Sequence, residues 1–196
     1  MSGTGAIILA AGSSSRLGEP KQLLRHRGQT LVERAAQAAV DAGCAPVCIV
    51  LANARIDSAV VDVKVRTLNA EWPRGIGTSI RRGLEACLAA DPALEAVAIL
   101  VCDQPAVSGP IVAALREKLA ESARGMAAAA YSGTVGVPAI FSRKYFPKLR
   151  ALPDDCGAKL LLQSYADDIA AVPFPDGALD IATPADLRRW HESLQV

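Results

Sequence analysis

The sequence predicts a three-layer α/β/α sandwich with a mostly parallel sheet, and three observations carry that prediction. The runs Ile7-Ile8-Leu9, Pro46 to Leu51 and Ala96 to Val101 are continuously apolar, and the latter two show the pattern of strands covered on both faces. Stretches with helix start and stop signals lie between them, so strands and helices alternate along the chain. Of the 196 residues 51% are hydrophobic and only 4% aromatic, which suits helices packed on aliphatic strands. That length predicts one domain over residues 1–196 with a core large enough to stand without staples.

Taken in order, the first strand runs into a loop of small residues ending at Pro20-Lys21. Thr30-Leu31-Val32-Glu33 reads as a capping box, and its helix stops at Gly43. After the Pro46–Leu51 strand, a short helix over Ile56–Val61 and a strand over Val63–Leu68 are expected. Asn69 to Thr78 reads as loop, followed by a helix over Ser79–Ala90 and the strand Ala96–Val101, which leads straight into Cys102-Asp103-Gln104-Pro105. Ser108 caps a helix reaching about Ser122, with Pro110 in its first turn. Strands Met126–Tyr131 and Val137–Phe141 flank Ser132 to Gly136. Ser142 caps a short helix, and Asp154 to Gly157 precedes one ending near Tyr165. Ile169–Pro173 is the last strand. Asp180-Ile181-Ala182 introduces a closing helix with Thr183 at N-cap, Pro184 at N1 and Asp186 at N3.

Composition excludes several functions. A net charge of +1 gives no bulk attraction for nucleic acid or an anionic membrane surface. The five cysteines are odd in number and scattered, and no His completes a metal site with Cys44 and Cys48, so they read as small buried hydrophobes in a reducing cytosol. The N-terminus has no basic region, and its apolar run is too short for a signal or membrane helix. A cytoplasmic location is expected.

The loop after the first strand holds Gly12, three serines, Arg16 and Gly18 before Lys21. Small residues let backbone N–H groups approach a ligand, and the two cations supply local charge for a polyphosphate. A Walker loop is excluded because five residues separate the glycines and Lys21 is not adjacent to the second. A dinucleotide fingerprint is excluded because Ser14 stands where its second glycine belongs.

The stretch LAAGSSSRLGEPKQ resembles the signature of nucleotidyltransferases of the glycosyltransferase-A-like type, in particular the molybdenum cofactor cytidylyltransferases and their guanylyl counterparts. Further matches in the same order are Gly75 to Ser79, Asp103-Gln104-Pro105, Gly136 to Phe141, Asp155 to Lys159 and Asp180 to Pro184. The resemblance implies a Rossmann-like sheet of the nucleotide-diphospho-sugar transferase type. It also implies site roles: the backbone of Leu9, Ala10, Ala11, Gly12 and Ser13 with Gly75 at the base and phosphates, Arg16 and Lys21 on the triphosphate, and Thr78 or Ser79 near the pyrimidine ring. Asp103, joined by Asp180, would hold Mg²⁺.

The physical case stands beside that likeness. One cation at about 4 Å is worth roughly 4 kcal/mol at an effective dielectric near 20, so two cations and a divalent metal suit the charge of a triphosphate attacked by a phosphate. Mg²⁺ takes one or two carboxylates plus phosphate oxygens and waters. Such chemistry needs positioning and charge stabilisation more than a strong base. Among single residues, Trp72 and Trp190 read as packing residues, Arg81 and Arg82 as a solvated helix face from which one could reach an acceptor phosphate, and His26 as a surface residue.

In the family, Ala-Ala-Gly accompanies cytidylyl members and Ala-Gly-Gly guanylyl members; this chain has Ala10-Ala11-Gly12, and an added methyl beside the base disfavours a purine. The expected reaction is Mg²⁺-dependent transfer of CMP from CTP to the terminal phosphate of molybdopterin, releasing pyrophosphate. Many molybdopterin cytidylyltransferases carry Gly-His-Pro where this chain has Gly136-Val137-Pro138, and Cys156 and Lys159 depart from a frequent lysine and arginine. Pro20-Lys21-Gln22, Ser79-Ile80 and Gly83-Leu84 are also similar to the cytidylyltransferases of isoprenoid precursor synthesis. A small alcohol phosphate or sugar phosphate is therefore the alternative acceptor. An alternative of another class is a non-catalytic nucleotide-binding factor delivering cofactor to a client molybdoenzyme.

Overall fold

A seven-stranded sheet forms the middle layer of the computed structural model, which describes residues 3–12, 20–26, 28–52 and 65–193. The strands are β1 (Thr4–Ala10), β4 (Val47–Leu51), β5 (Val65–Leu68), β6 (Ala96–Val101), β7 (Met126–Tyr131), β8 (Thr134–Ser142) and β9 (Ile169–Pro173), in the spatial order β5-β4-β1-β6-β8-β7-β9. A separate two-stranded ribbon joins β2 (Arg25–His26) to β3 (Gln29–Thr30). The expected helix over 56–61 lies outside the described residues.

Every β1–β4, β1–β6, β4–β5 and β7–β9 ladder is parallel, and β8 runs antiparallel to both its neighbours. Alternation along the central strands sorts the core into two layers. Ala6, Ile8, Ala10, Ile49 and Leu100 face α1 (Leu31–Asp41) and α3 (Gly109–Glu121). Ile7, Leu9, Val50, Val97 and Ile99 face α2 (Ile76–Ala90), α4 (Phe146–Arg150) and α5 (Lys159–Ser164). The three-layer sandwich thus follows from two apolar faces, each needing a cover.

The start signals of two helices are visible in atomic detail. Thr30 Oγ1 accepts from Glu33 N–H while the Glu33 carboxylate accepts from Thr30 N–H, a complete capping box for α1. Thr183 and Asp186 make the same reciprocal pair at the start of α6 (Pro184–Ser193). Ser108 and Ser142 precede helical turns as expected, but neither side chain makes a cap hydrogen bond.

Of the boundaries that differ from expectation, two shape the site. Helix α2 begins at Ile76, ahead of Ser79, because Gly75 and Gly77 serve close packing rather than a loop: a Cβ on Gly77 would lie 2.1 Å from the Pro153 carbonyl oxygen. Strand β8 begins at Thr134, ahead of Val137. Ser132 and Gly133, with φ of 49° and 71°, form a two-residue turn that pairs Tyr131 directly with Thr134. Pro138 is accommodated where the β7–β8 register shifts between Ala128 and Ala129.

Four of the cysteines are buried and Cys156 is half-buried; all are free thiols. Among the described residues no helix is long and apolar enough to cross a membrane.

Candidate active site

The strand order reverses at β1, whose parallel neighbours β4 and β6 lie on its two sides, and ligands gather beyond the strand C-termini at such a point. The Leu9–Val101 register brings Ala11 and Gly12 alongside Cys102 and Asp103. A cavity of about 270 Å³ opens there, walled by Leu9, Ala11, Gly12, Lys21, Val101 and Asp103, and on the helical side by Trp72, Gly75, Ile76 and Ser79. Ala10 is buried in the opposite core layer, so any contribution it makes is through its backbone. Ser13 and Arg16 lie outside the described residues.

Lys21 Nζ forms an ion pair with Asp103 Oδ2, and both side chains are largely buried. Burial works against the Lys21 ammonium, yet the Asp103 carboxylate outweighs it and holds the lysine pKa above its ordinary value. Asp180 joins them: Ile181 N–H donates to the Asp103 carbonyl oxygen at 2.9 Å, pinning the Asp180 segment to the end of β6. Burial, then the neighbouring Asp103 charge, pushes the Asp180 carboxyl up to about 6. Two carboxylates pressed together beside one lysine form a hard-oxygen donor set in need of positive charge, which fits a divalent cation of the Mg²⁺ type completed by waters and phosphate oxygens. Cys102, between them and the strand, is a neutral thiol at physiological pH, because burial and then Asp103 push it up to about 12.

The far wall is built by a glycine-dependent contact. Gly75 has φ 137°, and a Cβ there would sit 2.2 Å from the Asp154 carbonyl oxygen. Gly77 N–H donates to that oxygen at 2.8 Å. Arg81 and Arg74 both pair with the Asp154 carboxylate, and Arg81 also reaches the Leu152 carbonyl. Arg81 therefore ties helix to loop instead of forming a solvated face; Arg82 is exposed and donates to Thr67 Oγ1.

Thr78 and Ser79 are separated in role by their partners. Thr78 is buried, and its hydroxyl is bound at 2.7 Å to the Gly75 carbonyl; it is absent from the cavity wall, whereas Ser79 is part of it. Asn69, which sequence reasoning passed over as loop, donates to both hydroxyls, at 2.8 and 2.9 Å. No local signal distinguishes it, since its partners come from the following helix. Trp72, expected only to pack, is half-exposed on the cavity wall, while Trp190 packs in a small cluster with Leu24, Leu31 and Ile181.

A second chamber of about 160 Å³ adjoins the first through Leu9, Ile76 and Val101. Ile80, Ile99, Val135, Val137 and Ala158 make it mostly apolar, with Tyr131, Thr134 and Lys159 as its polar members. The Tyr131 hydroxyl is committed, donating to the Val137 carbonyl at 3.0 Å.

Comparison with known proteins agrees with this architecture. The chain is 39% identical over 106 residues to a nicotine blue oxidoreductase of Paenarthrobacter nicotinovorans, covering 52% of this chain and 50% of that protein. It is 34% identical over 102 residues to a probable molybdenum cofactor guanylyltransferase of Opitutus terrae, covering 51% and 48%. The chain thus spans about half the length of the curated relatives it matches. Among solved structures, Rv0371c from Mycobacterium tuberculosis H37Rv superposes with a TM-score of 0.77 at 28% identity, over 98% of this chain and 99% of that one. A manganese complex of Rv0371c superposes with a TM-score of 0.74 at 26% identity, over 98% and 100%. A nucleotidyl transferase from Methanothermobacter shares the fold with a TM-score of 0.82 at 21% identity, over 100% and 99%. The model of the MobA-like NTP transferase domain matches residues 6–169, so the chain belongs to that family.

Proposed function

We propose that the chain transfers a nucleoside monophosphate from a nucleoside triphosphate to a phosphorylated small molecule with release of pyrophosphate. The specific reading is CMP from CTP onto the terminal phosphate of molybdopterin. The observation that carries it is the Lys21–Asp103 ion pair on the wall of a cavity that Ala11 and Gly12 also line, with Asp180 beside it. The acceptor phosphate oxygen attacks the α-phosphorus, and the bond from that phosphorus to the β-phosphate oxygen breaks. Lys21 offsets charge on the triphosphate, with Arg16 assigned the same task from the loop signature. Asp103 and Asp180 would hold the divalent cation, which when bound supplies charge neutralisation to phosphate oxygens. Ala11, which lines the cavity, supports a pyrimidine over a purine. The apolar second chamber supports an acceptor with a ring body over a polyol phosphate, whose hydroxyls would find few partners there.

The test is pyrophosphate release measured with each of the four nucleoside triphosphates, Mg²⁺ or Mn²⁺, and either a molybdopterin source or a sugar phosphate. CTP with molybdopterin is expected to be the productive pair, and Asp103→Ala is expected to lower turnover at least a hundredfold with the fold intact. Near-normal release by Asp103→Ala would sink the metal assignment. CTP binding without product for any acceptor would favour a delivery factor. The relative named a nicotine blue oxidoreductase supplies a competing reading, a redox reaction at the same site. Turnover of nicotine blue without nucleoside triphosphate would displace the transferase reading.

A further inference from the structure

Asn69 closes β5 and is 3% exposed, and each of its polar groups is spoken for. Its backbone N–H donates to Leu51 O at 2.9 Å, and its backbone carbonyl accepts from Trp72 N–H at 3.3 Å. Its side-chain oxygen accepts from Glu71 N–H at 3.0 Å. A backbone N–H can only donate, so this contact settles which end of the amide is oxygen. The NH₂ group must then face the helix, and its two hydrogens go to Thr78 Oγ1 and Ser79 Oγ.

The two hydroxyls have different options left. Thr78 accepts from Asn69 and gives its single proton to the Gly75 carbonyl at 2.7 Å. Ser79 accepts from Asn69, and among the described residues no acceptor takes its proton. Ser79 is also the one of the two residues that lines the cavity, together with Lys21 and Asp103.

We propose that Asn69 is a positioning residue: by donating to Ser79 Oγ it forces the Ser79 hydroxyl to meet a ligand as a hydrogen-bond donor, matched to an acceptor atom on the nucleobase. This inference rests on the nucleotide reading above. An asparagine is required because only an amide can accept from Glu71 N–H and at the same time donate to two hydroxyls. Aspartate has nearly the same shape and opposite polarity. It keeps the Glu71 contact but draws the Ser79 proton to its own carboxylate, leaving Ser79 with lone pairs alone toward the cavity.

The experiment measures binding of CTP and of inorganic tripolyphosphate by calorimetry in the wild type, Asn69→Asp, Ser79→Ala and the double variant. Tripolyphosphate has no base, so it reports any general effect of the added charge or of altered folding. Asn69→Asp is expected to weaken CTP about tenfold more than tripolyphosphate, the worth of one hydrogen bond at about 1.4 kcal/mol. In the Ser79→Ala background that extra loss is expected to vanish. Ser79→Ala alone is expected to weaken CTP about tenfold and leave tripolyphosphate unchanged, which tests the contact even where Asn69→Asp does not fold. Parallel losses for the two ligands, or an extra loss that persists in the Ser79→Ala background, overturn the proposal. A wild-type protein that binds neither ligand overturns the nucleotide reading itself.

Discussion

Replacing Gly77 with alanine sets two opposed effects against each other inside α2. Alanine is favoured over glycine in a helix interior by about 0.8–1.0 kcal/mol, and position 77 is helical. The new methyl, however, would lie 2.1 Å from Pro153 O, 3.0 Å from Cys156 O and 3.1 Å from Asp154 O. All three are backbone atoms, so no rotamer change relieves them. Reaching an ordinary C···O separation requires the 153–156 loop to retreat by about 1 Å, and inserting a methylene into a packed site costs about 1–3 kcal/mol. The retreat also strains the Gly77 N–H···Asp154 O bond at 2.8 Å, worth about 1 kcal/mol. The steric effect wins, and Gly77→Ala is expected to lose about 1–3 kcal/mol in urea unfolding, with weaker CTP binding because Gly75, Ile76 and Ser79 on the same turn form the cavity wall. Gly12→Ala is the control for the unfolding measurement alone, since its nearest neighbour would be Lys21 Cε at 3.6 Å. A Gly77→Ala protein as stable as the wild type, or more so, would refute the reasoning.

Three further outcomes follow from the same geometry. Asp180→Asn removes one of two crowded carboxylates, so the metal-free protein should unfold at a higher temperature while Mn²⁺ no longer stabilises it; a thermal shift that Mn²⁺ still raises by the wild-type amount would refute the pairing. The Asp168 carboxyl accepts from Lys144, Tyr145 and Gly125, and the Lys144 and then the Tyr145 contacts hold it down at about 2. A depressed carboxylate adds stability above its unfolded value near 4 and loses it as pH falls through about 2, so the stability gap between wild type and Asp168→Asn should narrow from pH 4 to pH 2; a constant gap would count against it. Gly83→Ala would place a methyl 2.4 Å from Ile7 Cγ2 and 3.0 Å from Val50 Cγ2, so it should lower the urea midpoint while leaving the relative preference among nucleotides unchanged.

What could be read from the sequence was what local chemistry determines. Strands β6, β7 and β9 fall at their expected bounds because aliphatic runs between turn residues need no distant information. The capping residues of α1 and α6 were legible for the same reason: Thr30 with Glu33, and Thr183 with Asp186, are short-range reciprocal bonds. The start of α2 was hidden because Gly75 and Gly77 look like loop residues unless the backbone near Asp154 is known to occupy their Cβ space. Arg81 was misread as solvated for a related reason, its partner Asp154 being far along the chain. Asn69 escaped notice because its meaning lies in the order of donors and acceptors around it, which only coordinates reveal. Asp103 stands directly after its buried strand and on the cavity wall, and the backbone bond from Ile181 explains how the last segment is returned to it.

The shared edge formed by Leu9, Ile76 and Val101 divides the site into a cavity that carries Lys21, Ser79 and Asp103 and a mostly apolar chamber. Its consequence concerns competition between nucleophiles. A nucleotide seated against Lys21 and Asp103 would face, on its chamber side, surfaces that hold water poorly. An acceptor body filling that space would leave little solvent near the phosphorus, so hydrolysis would lose to transfer through scarcity of water rather than through any group that repels it. Selectivity for the reaction, as distinct from the substrate, would then reside in side chains that make no polar contact at all.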